Sequence, residues 1–180
     1  MLKEACARVI HMAGLAGMLT ITSCAPRAEA EFTKNVEHAA QANDGIGDAT
    51  LVSAIANAPT IRVYKSPNCE CCALWVDHMR EAGFELDVEN THQMVGVKIQ
   101  ADVPLQLQTC HTALVGDHVF EGHVPADVIA RFLAEAPPAR GLAVPGHPLG
   151  SPGMELGDRV EAYEVIQFDV QGGTSVYERR

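Results

Sequence analysis

The chain has 180 residues, a net charge of −10, 47% hydrophobic residues and 20% charged ones. That length holds one domain with its own core plus flanking segments, and the hydrophobic share excludes a disordered chain. The acidic balance argues against nucleic acid as a partner and against an electrostatic hold on anionic lipid.

The N-terminus reads as an export signal. Lys3 and Arg8 give a basic start, and "VIHMAGLAGMLTI" is an apolar run of 13 residues. A bilayer span needs roughly 20. Two cleavage sites compete. "ITSC" sets Cys24 behind small and β-branched residues, as in the box before a lipid-modified cysteine, which makes residues 1–23 the signal and Cys24 a lipid anchor. "AEA" at 28–30 is an ordinary small-x-small site, with cleavage after residue 30. Either way the chain is expected in an oxidising, periplasmic compartment, where thiols become disulfides or find metal.

Residues 24–59 read as a tether, partly disordered, with a turn at "NDGIGD" and one or two short helices. A domain is expected over 60–180. "TIRVYKS" is β-branched and aromatic, hence a buried strand, broken at Pro67-Asn68. From Cys71, Leu74, Trp75, Met79 and Ala82 fall near helical spacing, and Gly83 stops the helix. "FELDVEN" alternates as a second strand. "QMVGVKIQADVPLQLQ" is ambiguous, with one helical turn expected after Pro104. "TALV" and "HVFEGH" flank Gly116-Asp117, a pair suited to a two-residue hairpin turn. "ADVIARFLAE" is an amphipathic helix stopped by Pro137-Pro138. "GLAVPGHPLGSPGMELGD" is Gly/Pro-rich and reads as a long surface loop. "AYEVIQFDV", Gly172-Gly173 and "TSVYER" close the chain as a second hairpin. No internal repeat is evident.

The order strand, Cys motif, helix, strand, hairpin, helix is that of an α/β, thioredoxin-like fold: a central mixed sheet flanked by helices. Thioredoxins carry a cis-proline in the loop entering the hairpin. Here that loop reads "QTCHTA", with Cys110 and His111 in place of proline.

Three of the six cysteines fall within four positions, Cys69, Cys71 and Cys72. Cys69 and Cys72 have the spacing of a disulfide exchanger, with Cys69 attacking and Cys72 resolving; Cys71 between them serves no purpose in that chemistry. Thiols at a helix N-terminus meet unpaired N–H groups and the positive end of the dipole, which favour thiolate. Three thiolates in one turn repel each other, and a soft ion relieves the repulsion. Thiolates select Cu(I), zinc or iron–sulfur clusters, and four of them with nearby imidazoles suit several Cu(I) ions. Zinc is the rival, although structural zinc sites usually use two separated Cys-x-x-Cys turns. Structural disulfides are the bland alternative.

If Gly116-Asp117 is a two-residue turn, paired positions sum to 233, and Cys110 faces His123. His111 and His123 are thus candidate ligands, though either could instead hydrogen-bond the backbone. Met154, with its thioether, and His147 lie in the Gly/Pro-rich segment; packing is the plainer role for a loop methionine. Trp75 is expected in the core, shielding the cysteines. His78 and Met79 are expected at surface and core. Lys65 and Ser66 lie close enough to tune thiolate charge, a solvated lysine being the simpler reading.

"VYKSPNCECCALWVDHM", "LQTCHTALVGDHVFEGHVP" and "GLAVPGHPLGSPGME" together resemble the CopG-like family of exported bacterial copper-resistance proteins, over about residues 60–170. (The name is shared with an unrelated DNA-binding repressor.) The resemblance implies a thioredoxin-like fold binding copper, as a cysteine-bridged cluster, alongside other periplasmic copper-handling proteins. It implies Cys69, Cys71, Cys72 and Cys110 as the family's cysteines, with His111 after the last. It leaves open an oxidoreductase role toward copper.

Overall fold

The computed structural model describes residues 48–180. The expected signal, its cleavage sites, Cys24 and the tether up to residue 47 lie outside the described residues.

Strand β1 (Ile61–Lys65) buries Ile61 and Val63 on one face and ends at the Ser66-Pro67-Asn68 turn. Helix α2 (Glu70–Glu81) follows, preceded in the chain by a short helix α1 (Asp48–Ala56). Gly83, at φ 101°, closes α2: its own N–H and that of Phe84 satisfy the carbonyls of Arg80 and Met79. Strand β2 (Leu86–Asn90) returns parallel to β1. Helix α3 (Met94–Gln100) and a single 3₁₀ turn (Leu105–Leu107) lead to the hairpin of β3 (Thr112–Val115) and β4 (His118–Glu121). Helix α4 (Ala126–Glu135), strand β5 (Gly141–Ala143) and the hairpin of β6 (Glu164–Phe168) and β7 (Thr174–Arg179) complete the chain.

The seven strands form one mixed sheet in the order β2-β1-β3-β4-β5-β6-β7. Its first four strands, with β1 and β2 parallel and β3 and β4 antiparallel, are the thioredoxin arrangement; β5 to β7 extend it. Strand alternation divides the core. Phe120 points to the layer holding Trp75, Val76 and Met79 of α2 and Val128, Ile129 and Phe132 of α4. Its neighbour Val119 points to the opposite layer, with Ala101, Val103, Leu107 and Phe168. The hairpin register is the expected one, Val115 opposite His118 through Thr112 opposite Glu121. All described peptide bonds are trans, so the proline-free loop before β3 has no cis bond.

Several expectations change. The Gly/Pro-rich segment is not all surface loop: Gly141–Ala143 is a strand between β4 and β6, and Val144 and Ser151–Gly153 are buried. The ambiguous 93–108 stretch holds a helix of its own. The short helix foreseen before residue 60 packs on α4, and Leu51 and Ile55 join the core. Leu74 is exposed although helical spacing groups it with Trp75, since α2 turns only its Cys72–Trp75–Val76–Met79 side inward. An ion pair of Arg131 with Glu178 fastens β7 to α4, and Arg180, the residue after β7, pairs with Asp127 of the same helix. No described helix is long and apolar enough to cross a membrane.

Candidate metal centre

Cys69 is the N-cap of α2. Its sulfur accepts the Cys72 N–H at 3.3 Å, satisfying one of the unpaired donors at the helix start. Cys69 and Cys72 are joined as a disulfide, with Cα atoms 5.3 Å apart, and Cys71 and Cys110 are free thiols. Cys71 Sγ lies 3.5 Å from Cys69 Sγ. From the loop before β3, Cys110 reaches the same place: all four sulfurs lie within 4.8 Å of one another. Ligand sulfurs around one tetrahedral ion at about 2.3 Å stand roughly 3.8 Å apart, so the spacing fits a metal once the Cys69–Cys72 disulfide is reduced.

Cys110 also joins a second group, with His111 and His123. His123 Nε2 stands 3.0 Å from Cys110 Sγ, where the hairpin register puts it. The other ring nitrogen of His123 is 2.7 Å from the Pro152 carbonyl, which can only accept, so Nδ1 carries the proton. That leaves Nε2 bare toward the sulfur, the orientation a metal-binding imidazole needs. His111 is fully buried, its Nδ1 3.4 Å from Cys110 Sγ and its ring 4.3 Å from that of Trp75. Among the described residues its Nε2 has no hydrogen-bond partner. An unsatisfied buried polar atom costs about 1–3 kcal/mol; the nitrogen that meets Cys110 is the other one, Nδ1.

Electrostatics keep these donors neutral. Burial, reinforced by Cys71, pushes the Cys110 thiol up to about 11. Burial, then the neighbouring His123, Lys98 and His147, holds His111 well below the ordinary imidazole value. Burial also lowers His123, against the opposing pull of the Pro152 carbonyl. Neutral imidazoles are competent ligands, and a metal taking Cys110 as thiolate displaces its proton.

Residues that no sequence motif singles out hold the site in place. Glu121, fully buried at the end of β4, accepts the Thr109 N–H at 2.7 Å, the residue before Cys110. The same carboxylate meets Lys98 Nζ of α3 at 2.6 Å and the Thr112 hydroxyl at 2.7 Å. Next to it, Gly122 at φ 72° leaves space that a Cβ would take from the Val144 carbonyl, 2.9 Å away. The only local signals were a glutamate in a buried strand and a lysine on an otherwise apolar helix.

On the far side the 144–154 segment folds back. Pro152 orients His123, and Gly153 rests on the first turn of α2. At φ +83°, a Cβ on Gly153 would sit 2.6 Å from the Cys71 carbonyl and 2.8 Å from the Trp75 nitrogen. Both are backbone atoms that cannot step aside. Gly153→Ala is therefore expected to lower stability by about 1–3 kcal/mol, read as a lower urea midpoint at unchanged slope. An unshifted midpoint would mean that this contact is slack.

The remaining candidates fall around this centre. Met154 follows Gly153, half-buried, and its N–H closes a turn onto Ser151. Trp75 is buried, donating its indole N–H to the Val124 carbonyl at 2.8 Å. Lys65 is buried rather than solvated, and its ammonium donates to the Ser66 carbonyl. His78 has a structural duty: its Nε2 accepts the Ala126 N–H at the start of α4. Met79 is core.

Fold and site together define a thioredoxin-like domain in which a cysteine cluster at a helix terminus faces a Cys-His loop. A family model described as "Protein of unknown function, DUF411" matches residues 107–154, which span that loop, β3, β4, α4, β5 and most of the Gly/Pro-rich segment. Two solved structures resemble the chain. "Copper resistance protein copG", form 1, is 38% identical with a TM-score of 0.65, over 69% of this chain and 98% of that one. Form 2 is 39% identical with a TM-score of 0.64, over 67% of this chain and 97% of that one. The chain belongs to the CopG-like family. No curated protein sequence matches it.

Proposed function

We propose that this chain is an exported copper-binding protein of copper resistance, holding Cu(I) in the pocket where Cys110 meets the three helix-end cysteines. The observation that carries the reading is the convergence of four sulfurs from two distant segments within 4.8 Å, with a bare imidazole nitrogen 3.0 Å from one of them. The family supports copper as the cargo, and soft thiolates prefer Cu(I). Four sulfurs and two histidines are enough donors for more than one ion if sulfur bridges.

A state in which all four sulfurs hold metal needs the Cys69–Cys72 bond opened, by two electrons and two protons, to give two thiols. The reverse step gives the pair a redox use: two Cu(II) ions each gain one electron while the Cys69 and Cys72 thiolates lose two and join. The products are two Cu(I) ions and the disulfide, with Cys71 and Cys110 still able to hold metal. In this reading the protein works in the periplasm, tethered there if Cys24 is lipidated, and exchanges copper with other copper-handling proteins.

The test is copper and zinc quantification on anaerobically purified, reduced protein. More than one copper per chain is expected, and about half as much or less when the disulfide is left closed. One firmly held zinc with no copper uptake would overturn the reading in favour of a structural zinc site.

The Cys69–Cys72 disulfide itself favours a second reading, thiol–disulfide exchange. Insulin reduction that persists in Cys71→Ser and Cys110→Ser would support exchange over metal storage.

A further inference from the structure

Beside the sulfur pocket lies a cleft of about 470 Å³ lined by Pro145, His147, Pro148, Glu161, Tyr163 and Glu164. His147 is exposed there, on a short segment that Pro145 and Pro148 stiffen and Gly146 turns at φ 76°. Its ring centroid is 6.0 Å from that of the fully buried His123, whose Nε2 meets Cys110 Sγ at 3.0 Å. Donor groups therefore run in series from the exposed His147 through the buried His123 to Cys110, whose own side chain is half-buried.

The spacing matches metal chemistry. An imidazole nitrogen binds copper or zinc at about 2.0 Å, which puts each ring centroid roughly 3.2 Å from the ion. Two imidazoles sharing one ion therefore have centroids up to about 6.4 Å apart; the observed separation falls inside that limit, and since Pro152 holds Nδ1, Nε2 is the His123 nitrogen that would meet the ion. The carboxylates of the cleft are already engaged, Glu161 by the Leu149 N–H and Glu164 by Arg179. They supply attraction for a cation rather than ligands, as does Glu155 near His123. Cys69 and Cys71 are half-buried and open to Cu(I) on their own side. A nitrogen-lined path suits the harder Cu(II) ion, which imidazole accepts; the Cys69 and Cys72 thiolates supply the electrons, two Cu(II) ions becoming Cu(I) for each disulfide formed.

We infer that His147 is the receiving ligand of a Cu(II) uptake path, passing the ion to His123 and then to Cys110 without being a resident ligand of the sulfur cluster. The inference rests on the copper reading above. The experiment follows uptake of glycine-buffered cupric chloride by stopped flow. It also measures the final copper number of the reduced protein, in wild type, His147→Ala and, as an exposed histidine outside the cleft lining, His92→Ala. The expected result is uptake slowed about tenfold in His147→Ala alone, with an unchanged final copper number in both variants. Uptake at the wild-type rate would overturn the path. A lowered copper number in His147→Ala would overturn it too, making His147 a resident ligand. Wild type that takes no copper at all would overturn the copper reading, and this inference with it.

Discussion

Cys110→Ser is expected to leave a folded protein that holds less than about half the copper of wild type, because one change removes the only donor common to both ligand groups. Among the described residues Cys110 is the sole cysteine from the loop side. Without it, Cys69, Cys71 and Cys72 remain on one helix turn, and His123 Nε2 faces a hard hydroxyl that Cu(I) binds poorly. Serine is nearly isosteric and keeps a donor toward His123, so the fold should survive. The check is copper per chain after anaerobic loading, beside urea denaturation of the metal-free protein. A variant that keeps the full copper number would show that the helix-end cysteines suffice and that the convergence on Cys110 has no part in binding.

Glu121→Ala should be the most damaging change to stability outside the apolar core. Lys98 is only 5% exposed and Glu121 not at all, so the alanine leaves a buried ammonium without its partner. Breaking such a pair costs about 3–5 kcal/mol. The Thr109 N–H loses its acceptor at the same time, releasing the loop that carries Cys110 and His111. Lys98→Met combined with Glu121→Gln is expected to recover most of the loss: the buried charges are gone, and the glutamine carbonyl still accepts from Thr109. Urea midpoints of the two variants decide the matter. A cost below about 1 kcal/mol for Glu121→Ala would mean that water already reaches the pair.

Much of this was legible in local pattern. The Gly116-Asp117 turn set the register of β3 and β4, and that register alone placed His123 beside Cys110. Gly83 marked the end of α2 because glycine takes the positive-φ position there at little cost, whereas a residue with a Cβ is strained. Two elements were hidden for physical reasons. Helix α3 exposes Val95 and Ile99 while burying Lys98, which inverts the polarity that periodicity relies on. Strand β5 begins at Gly141, normally a loop residue. Glycine is required there because a Cβ would run into the backbone of Val119 on β4. Composition cannot distinguish a glycine that loosens a loop from one that lets two strands touch.

By itself, the sequence determined which atoms are available for chemistry, the helix that crowds three sulfurs and the hairpin that brings a fourth. Those features depend on spacing over a few residues, where helix and turn geometry leave little choice. Only the tertiary structure decided that Pro152 orients His123, that Gly153 lies on α2, and that Glu121 and Lys98 meet under the Cys-His loop. Each joins segments more than twenty residues apart. Such contacts follow from which groups must be buried and paired once the sheet has closed, which no local pattern encodes.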